Sequence, residues 1–287
     1  MNPFDTFLIN PILNALVVFY TIFLSIGVPG ALGISIIVLT VLIRLALWPL
    51  TSTQLKSTQK MAALKPHMDR IKDEHGHDKV RHQQEISKLY KEHGVNPLAG
   101  CLPLILQIPI FIALYQVLLR VVDLNNGDFL TRINSQLYSP ALHLKELPST
   151  NFLGLSLASK PSEWSSVGFL ILLIPVITGA LQFIQSKMLS PQTANTEAVI
   201  KKDSKKKAAE GEPRPKGREG VEDTMASMQS QMTLIMPLMI AFFSYGFPVG
   251  LSLYWNTFTV LGIIQQYKIS GAGAMNKFLP EKWQKQN

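Results

Sequence analysis

Charge is what this 287-residue sequence is short of. Only 16% of its residues are Asp, Glu, Lys or Arg, and the shortage is local, because none occurs in 6–43, 93–119, 164–186 or 224–267. A helix crosses a bilayer with about 20 apolar residues, and four such stretches are more than a soluble core takes up. They exclude soluble enzyme folds and predict an all-α polytopic membrane protein. Cysteine is nearly absent too. The lone Cys101 lies inside an apolar run, which excludes a disulfide framework and a CxxC metal site. The opening MNPFDTF lacks the basic n-region of a secretory signal and has no nearby cysteine to carry a lipid, so no removable segment is expected. A nucleophile with its base, paired carboxylates, a phosphate loop and a dinucleotide motif are all missing. Covalent catalysis and a cofactor are therefore not expected.

The apolar runs divide into five spans. The first covers 31–50, ALGISIIVLTVLIRLALWPL, closed by Trp48 and Pro49. The second covers 96–120, the third 164–187, and the fourth and fifth, 231–247 and 248–268, form a hairpin interrupted by Gly246, Pro248 and Gly250. Residues 6–26 are long enough to span but carry Asn10, Pro11 and Asn14. They read as an interfacial amphipathic helix, with the turn Val28-Pro29-Gly30 completing an N-terminal segment 1–30.

Basic residues set the orientation. Segment 51–93 and segment 187–230 hold nine Lys and Arg each, and the tail after Tyr267 adds four, whereas the opposite side has only Arg120, Arg132, Lys145 and Lys160. The positive-inside rule then puts the two basic loops and the tail 269–287 in the cytoplasm, and the N-terminus and loop 121–163 outside. Within 51–95 apolar residues recur at helical spacing on both sides of His75-Gly76-His77, predicting a cytoplasmic hairpin of two amphipathic helices. Five histidines lie in or beside it, but no cysteine joins them and the central pair sits on a glycine turn, so a solvated hairpin is expected and a metal site is not. Segment 188–230 has almost no large apolar residue and predicts a disordered basic loop. Its lysine run 201–207 reads as a topological anchor, with anionic lipid or ribosomal RNA as further partners and no DNA.

Arg44 is the most informative residue. It lies six positions before Pro49 in an apolar helix, where an arginine costs about 2.5–3.5 kcal/mol, and no span carries an Asp or Glu to neutralise it. The alternative is that it snorkels to the interface. An uncompensated cation inside the membrane implies a polar, hydrated cavity. Thr40, one turn earlier on the same face, Gln107 in the second span, Gln182 and Gln185 in the third, and Tyr254, Trp255 and Asn256 in the fifth could line it. Each is also open to an ordinary interhelical hydrogen bond.

The runs ISIIVLTVLIRLALWPLT at 34–51, NPLAGCLPLILQIPIFIALY at 96–115 and FPVGLSLYWNTFTVLGIIQQY at 247–267 resemble the YidC/Oxa/Alb membrane protein insertases. The resemblance extends from residue 7 to about 268 and is to the compact members, without a large extracytoplasmic domain. It implies five helices around a hydrophilic groove open to the cytoplasm and to lipid, an interfacial helix before the first span, and a mobile cytoplasmic hairpin. By resemblance Arg44 is the groove arginine and Thr40 a groove residue one turn before it. Gln107 is the glutamine preceding the I-P-I-F segment, Gln182 and Gln185 both fit the third-span glutamine, and Trp255 stands among the fifth-span aromatics. The implied activity is insertion and folding of nascent membrane proteins in a bacterial plasma membrane by a monomer, alone or with a Sec-type translocon; the basic tail is too short for strong ribosome tethering, which leaves the ribosome a weak partner. A channel or transporter using Arg44 as an anion site, and a passive assembly chaperone, are the competing classes.

Overall fold

A computed structural model describes residues 2–95, 102–122, 129–189, 221–273 and 275. Among the described residues the chain is all-α apart from one two-stranded hairpin, and it is a polytopic membrane protein. Asp5–Ile9 opens as a π-helix and runs directly into α1, Asn10–Ser25. Next come α2 (Ala31–Ala63), α3 (Lys65–His75), α4 (Lys79–Glu92), α5 (Leu102–Val122) and α6 (Phe129–Asn134). Strands β1 (Asn151–Phe152) and β2 (Leu155–Ser156) pair antiparallel, and α7 (Trp164–Val167), α8 (Leu173–Leu189), α9 (Val221–Gly246) and α10 (Val249–Ser270) follow. Among the described residues, Asp5–Ser25, Ala31–Met61 and Phe169–Leu189 are long and apolar enough to cross a membrane, and Gln107–Val121 and Leu234–Gly246 are shorter apolar helices.

The helices depart from the expected boundaries in three places. Helix α2 does not stop at Pro49 but continues to Ala63 through Thr51, Ser52 and Thr53, since a proline removes only one ladder bond and the Gln, Leu, Lys, Met and Ala residues of 54–63 favour helix. The third span starts late. Gly168 adopts φ 111°, a conformation side chains rarely take, and Phe169–Leu172 is a 3-10 turn, so the regular helix begins only at Leu173. Helix α9 begins at Val221, inside the segment read as disordered. The rest of that loop, 190–220, and most of the tail, 276–287, lie outside the described residues.

The chain packs as two units. The first comprises 1–51, 101–182 and 237–264, and its core joins Leu13, Leu16 and Val17 of α1 to Leu32 and Ile36 of α2, Leu114, Val117 and Leu118 of α5, and Leu251 and Tyr254 of α10. The connection between α5 and α8 is tied down in this unit. Asn14, which as a bare sequence argued against a span, is buried with its amide engaged: Nδ2 donates to the Gln136 carbonyl at 3.0 Å, and Oδ1 accepts the Tyr138 N–H at 2.7 Å. Its polarity is satisfied by the loop and does not require headgroups or water. The carbonyls of Ser159 and Leu157 accept the N–H groups of Val249 and Gly250, both at 2.9 Å, which satisfies donors at the start of α10 that no helix partner reaches. The Phe152 ring lies across Gly30 and Gly33, where a Cβ would have no room.

The second unit comprises 52–100, 183–236 and 265–287. In it α3 and α4 close a small seam of Leu64, Leu89 and Val95 with Met61, Met68, Ile71 and Tyr90 around it. Asp78 caps α4, its carboxylate accepting the N–H groups of Arg81 at 3.1 Å and Val80 at 3.0 Å. Those two donors, that of Arg81 foremost, hold its carboxyl below the ordinary aspartate range.

Candidate functional site

The candidate site lies in the first unit, where α2, α5, α8 and α10 contribute side chains. Thr40 and Arg44 are four residues apart on α2 and so share a face. The Thr40 hydroxyl donates to the Ile36 carbonyl at 2.6 Å, which uses its proton within its own helix. Arg44 is only 6% exposed. Its guanidinium carbon stands 4.3 Å from the centroid of the Phe258 ring, and its Nε is buried with no hydrogen-bond partner. No carboxylate among the described residues pairs with it.

These contacts do not balance. A desolvated cation–π contact is worth about 0.5–2 kcal/mol, whereas placing the arginine at this depth costs about 2.5–3.5 kcal/mol. The ring therefore offsets only part of the cost, and the remainder is available to an anion or to water.

Helix α10 supplies the other side. Tyr254 is fully buried one turn before Phe258, their ring centroids 5.9 Å apart. Its hydroxyl accepts an N–H from Gln107 of α5 at 2.7 Å. Trp255 donates its indole N–H to Gln182 Oε1 of α8 at 3.3 Å and meets Phe111 edge-on at 5.3 Å. Asn256 is the second residue here with an unsatisfied atom, its Oδ1 buried without a partner. Gln185, three residues beyond Gln182 on α8, is half-buried and groups with the other unit.

The predicted residues thus form two hydrogen-bonded pairs, Gln107 with Tyr254 and Gln182 with Trp255, together with an arginine held by an aromatic ring. Sequence reading missed Phe258 as the partner of Arg44. Its signal was the i, i+4 repeat of Tyr254 and Phe258, which sets two rings on one face of α10.

Residues 23–276 match the family described as 60Kd inner membrane protein. The chain is 34% identical over 256 residues to the membrane protein insertase YidC of Rickettsia conorii, 35% over 256 residues to that of Rickettsia massiliae and 34% over 255 residues to that of Rickettsia rickettsii. Each alignment takes in 88% of this chain but only 38% of the relative. The matched span contains every residue of the site described above, and the chain belongs to the 60Kd inner membrane protein family, the YidC/Oxa/Alb group that its sequence resembles.

Proposed function

We propose that this chain is a membrane protein insertase and folding chaperone that works without covalent chemistry, and that Arg44 lies in a hydrophilic intramembrane groove receiving the translocated segment of a nascent membrane protein. The observation that carries the reading is the buried, carboxylate-free Arg44 with its unpartnered Nε. An acidic or polar tail crossing hydrocarbon meets a large desolvation cost. A cation in low-dielectric surroundings attracts such a tail far more strongly than one in water, and a groove part-way through the bilayer shortens the dry path. The apolar helix behind the tail then partitions into lipid, gaining about 0.8 kcal/mol per buried CH₂.

In this reading Thr40, Gln107, Gln182, Tyr254, Trp255 and Asn256 line the groove, Gln182 rather than Gln185 being the third-span glutamine, and α2, α5, α8, α9 and α10 are the five helices of the reading. The preceding helix lies in the interface, although its length would also let it cross. The protein sits in a bacterial plasma membrane with its N-terminus outside and its C-terminus in the cytoplasm, acting as a monomer on nascent chains, alone or beside a Sec-type translocon. Anionic lipid meets the basic loops, and the ribosome is a weak partner. The test is insertion of a single-span substrate into vesicles holding this protein alone. With an acidic outer tail, Arg44→Ala should lower the yield about tenfold, equivalent to ~1.4 kcal/mol, and Arg44→Lys should retain much of it. Undiminished insertion by a well-folded Arg44→Ala protein overturns the role of Arg44.

A further inference from the structure

The first unit also contains a cavity of about 360 Å³ between α5, α8, α9 and α10. Four of its lining residues are aromatic: Phe111, Phe243, Phe247 and Trp255. Four others, Gln107, Thr178, Ser244 and Ser252, carry polar side chains, which would ordinarily mark a wet site. Their bonding says otherwise. Thr178 donates its hydroxyl proton to the Ile174 carbonyl at 2.8 Å, Ser244 donates to Thr178 at 3.4 Å, and Ser244 and Ser252 are 3.0 Å apart. With Ser252 as donor in that last pair, every proton of the trio has an acceptor. Gln107 gives an N–H to Tyr254, and Trp255 gives its own to Gln182.

The wall is therefore effectively apolar. An engineered apolar cavity of roughly 150 Å³ stays dry and takes up benzene, and this one is more than twice that size. Its floor is sealed, with Leu251, Ser244 and Ser252 at most 2% exposed, and its rim is open, with Ile108 48% and Phe243 45% exposed. That rim runs on into the exposed apolar face of α5 at Ile112, one turn beyond Ile108. In a polytopic membrane protein such faces meet acyl chains. A void open to them leaves its lining without contact partners on one side, which forfeits dispersion energy that a flexible hydrocarbon chain restores.

We propose that this cavity is a binding site for one lipid acyl chain, which enters between Ile108 and Phe243 and packs against Trp255. The cavity shares Gln107 and Trp255 with the proposed groove lining, but its test does not involve insertion and so fails or succeeds independently of the groove reading. The protein with Trp48, Trp164 and Trp283 replaced by Phe retains Trp255 as its only tryptophan. In vesicles of dioleoylphosphatidylcholine, replacing the lipid by its chain-brominated counterpart should strongly quench Trp255 fluorescence. Ile240→Phe, which fills the cavity, should remove most of that quenching. Ile108→Phe at the exposed rim is the second filling variant, tolerated more easily because its side chain starts half in lipid. Absence of quenching by the brominated chains, or quenching that is the same in native and filled proteins of equal helicity, overturns the proposal.

Discussion

Two buried regions of one packing unit, the surroundings of Arg44 and the aromatic cavity, differ in the opposite sense from their composition. Around Arg44 the neighbour is a phenyl ring, yet a polar atom is left over, the buried Nε of the arginine itself. The cavity wall includes four polar side chains, yet none of their atoms is among the buried polar atoms left without a partner. Whether a buried site takes up charge and water or hydrocarbon therefore depends on which hydrogen bonds are already closed and not on how many polar residues are nearby. The first region is suited to receiving an anionic segment, the second to holding an apolar chain.

The comparison breaks first at the arginine. If the ring offsets only part of the cost of burying Arg44, then Arg44→Met, which preserves length and packing, should stabilise the protein by about 1–2 kcal/mol in chemical unfolding while insertion of acidic-tailed substrates is lost. A destabilised Arg44→Met protein would show the cation to be fully accommodated, and the contrast between the regions would collapse.

A smaller effect sharpens the comparison at the hydroxyl trio. Ser244→Ala leaves the Ser252 hydroxyl buried without its acceptor and should cost about 1–3 kcal/mol. Ser252→Ala orphans nothing and should cost less, and the double substitution should resemble Ser252→Ala rather than the sum. Additive losses in a double-mutant cycle would mean that the trio is not a closed chain.

The smallest effect belongs to the cytoplasmic hairpin, which serves as a control for both regions. The N–H groups of Arg81 and Val80 hold the Asp78 carboxyl below the ordinary range, so its cap stabilises α4 above the unfolded aspartate value. That contribution disappears as pH falls through the lowered folded value. Asp78→Asn should abolish this acid dependence of the hairpin's circular dichroism while leaving Arg44 function and Trp255 quenching unchanged. A hairpin whose acid dependence survives the substitution would place the titration elsewhere.

The sequence by itself determined the membrane class, through the segregation of charge, and it singled out Arg44 through the lack of any acid in the apolar runs. It also marked the turn between α3 and α4 at His75-Gly76-His77. These are properties of a residue and its neighbours along the chain, so hydropathy and charge suffice to read them. Tertiary structure alone decided that Asn14 is satisfied by a loop more than a hundred residues away. It also decided that Phe258 is the partner of Arg44, and that Thr178, Ser244 and Ser252, from three helices, form a chain of hydroxyls ending at the Ile174 carbonyl. Hydropathy adds up residue by residue, but a hydrogen bond requires two particular atoms at one distance and angle. No sum over the chain can tell a polar group that is satisfied from one that is waiting for a partner.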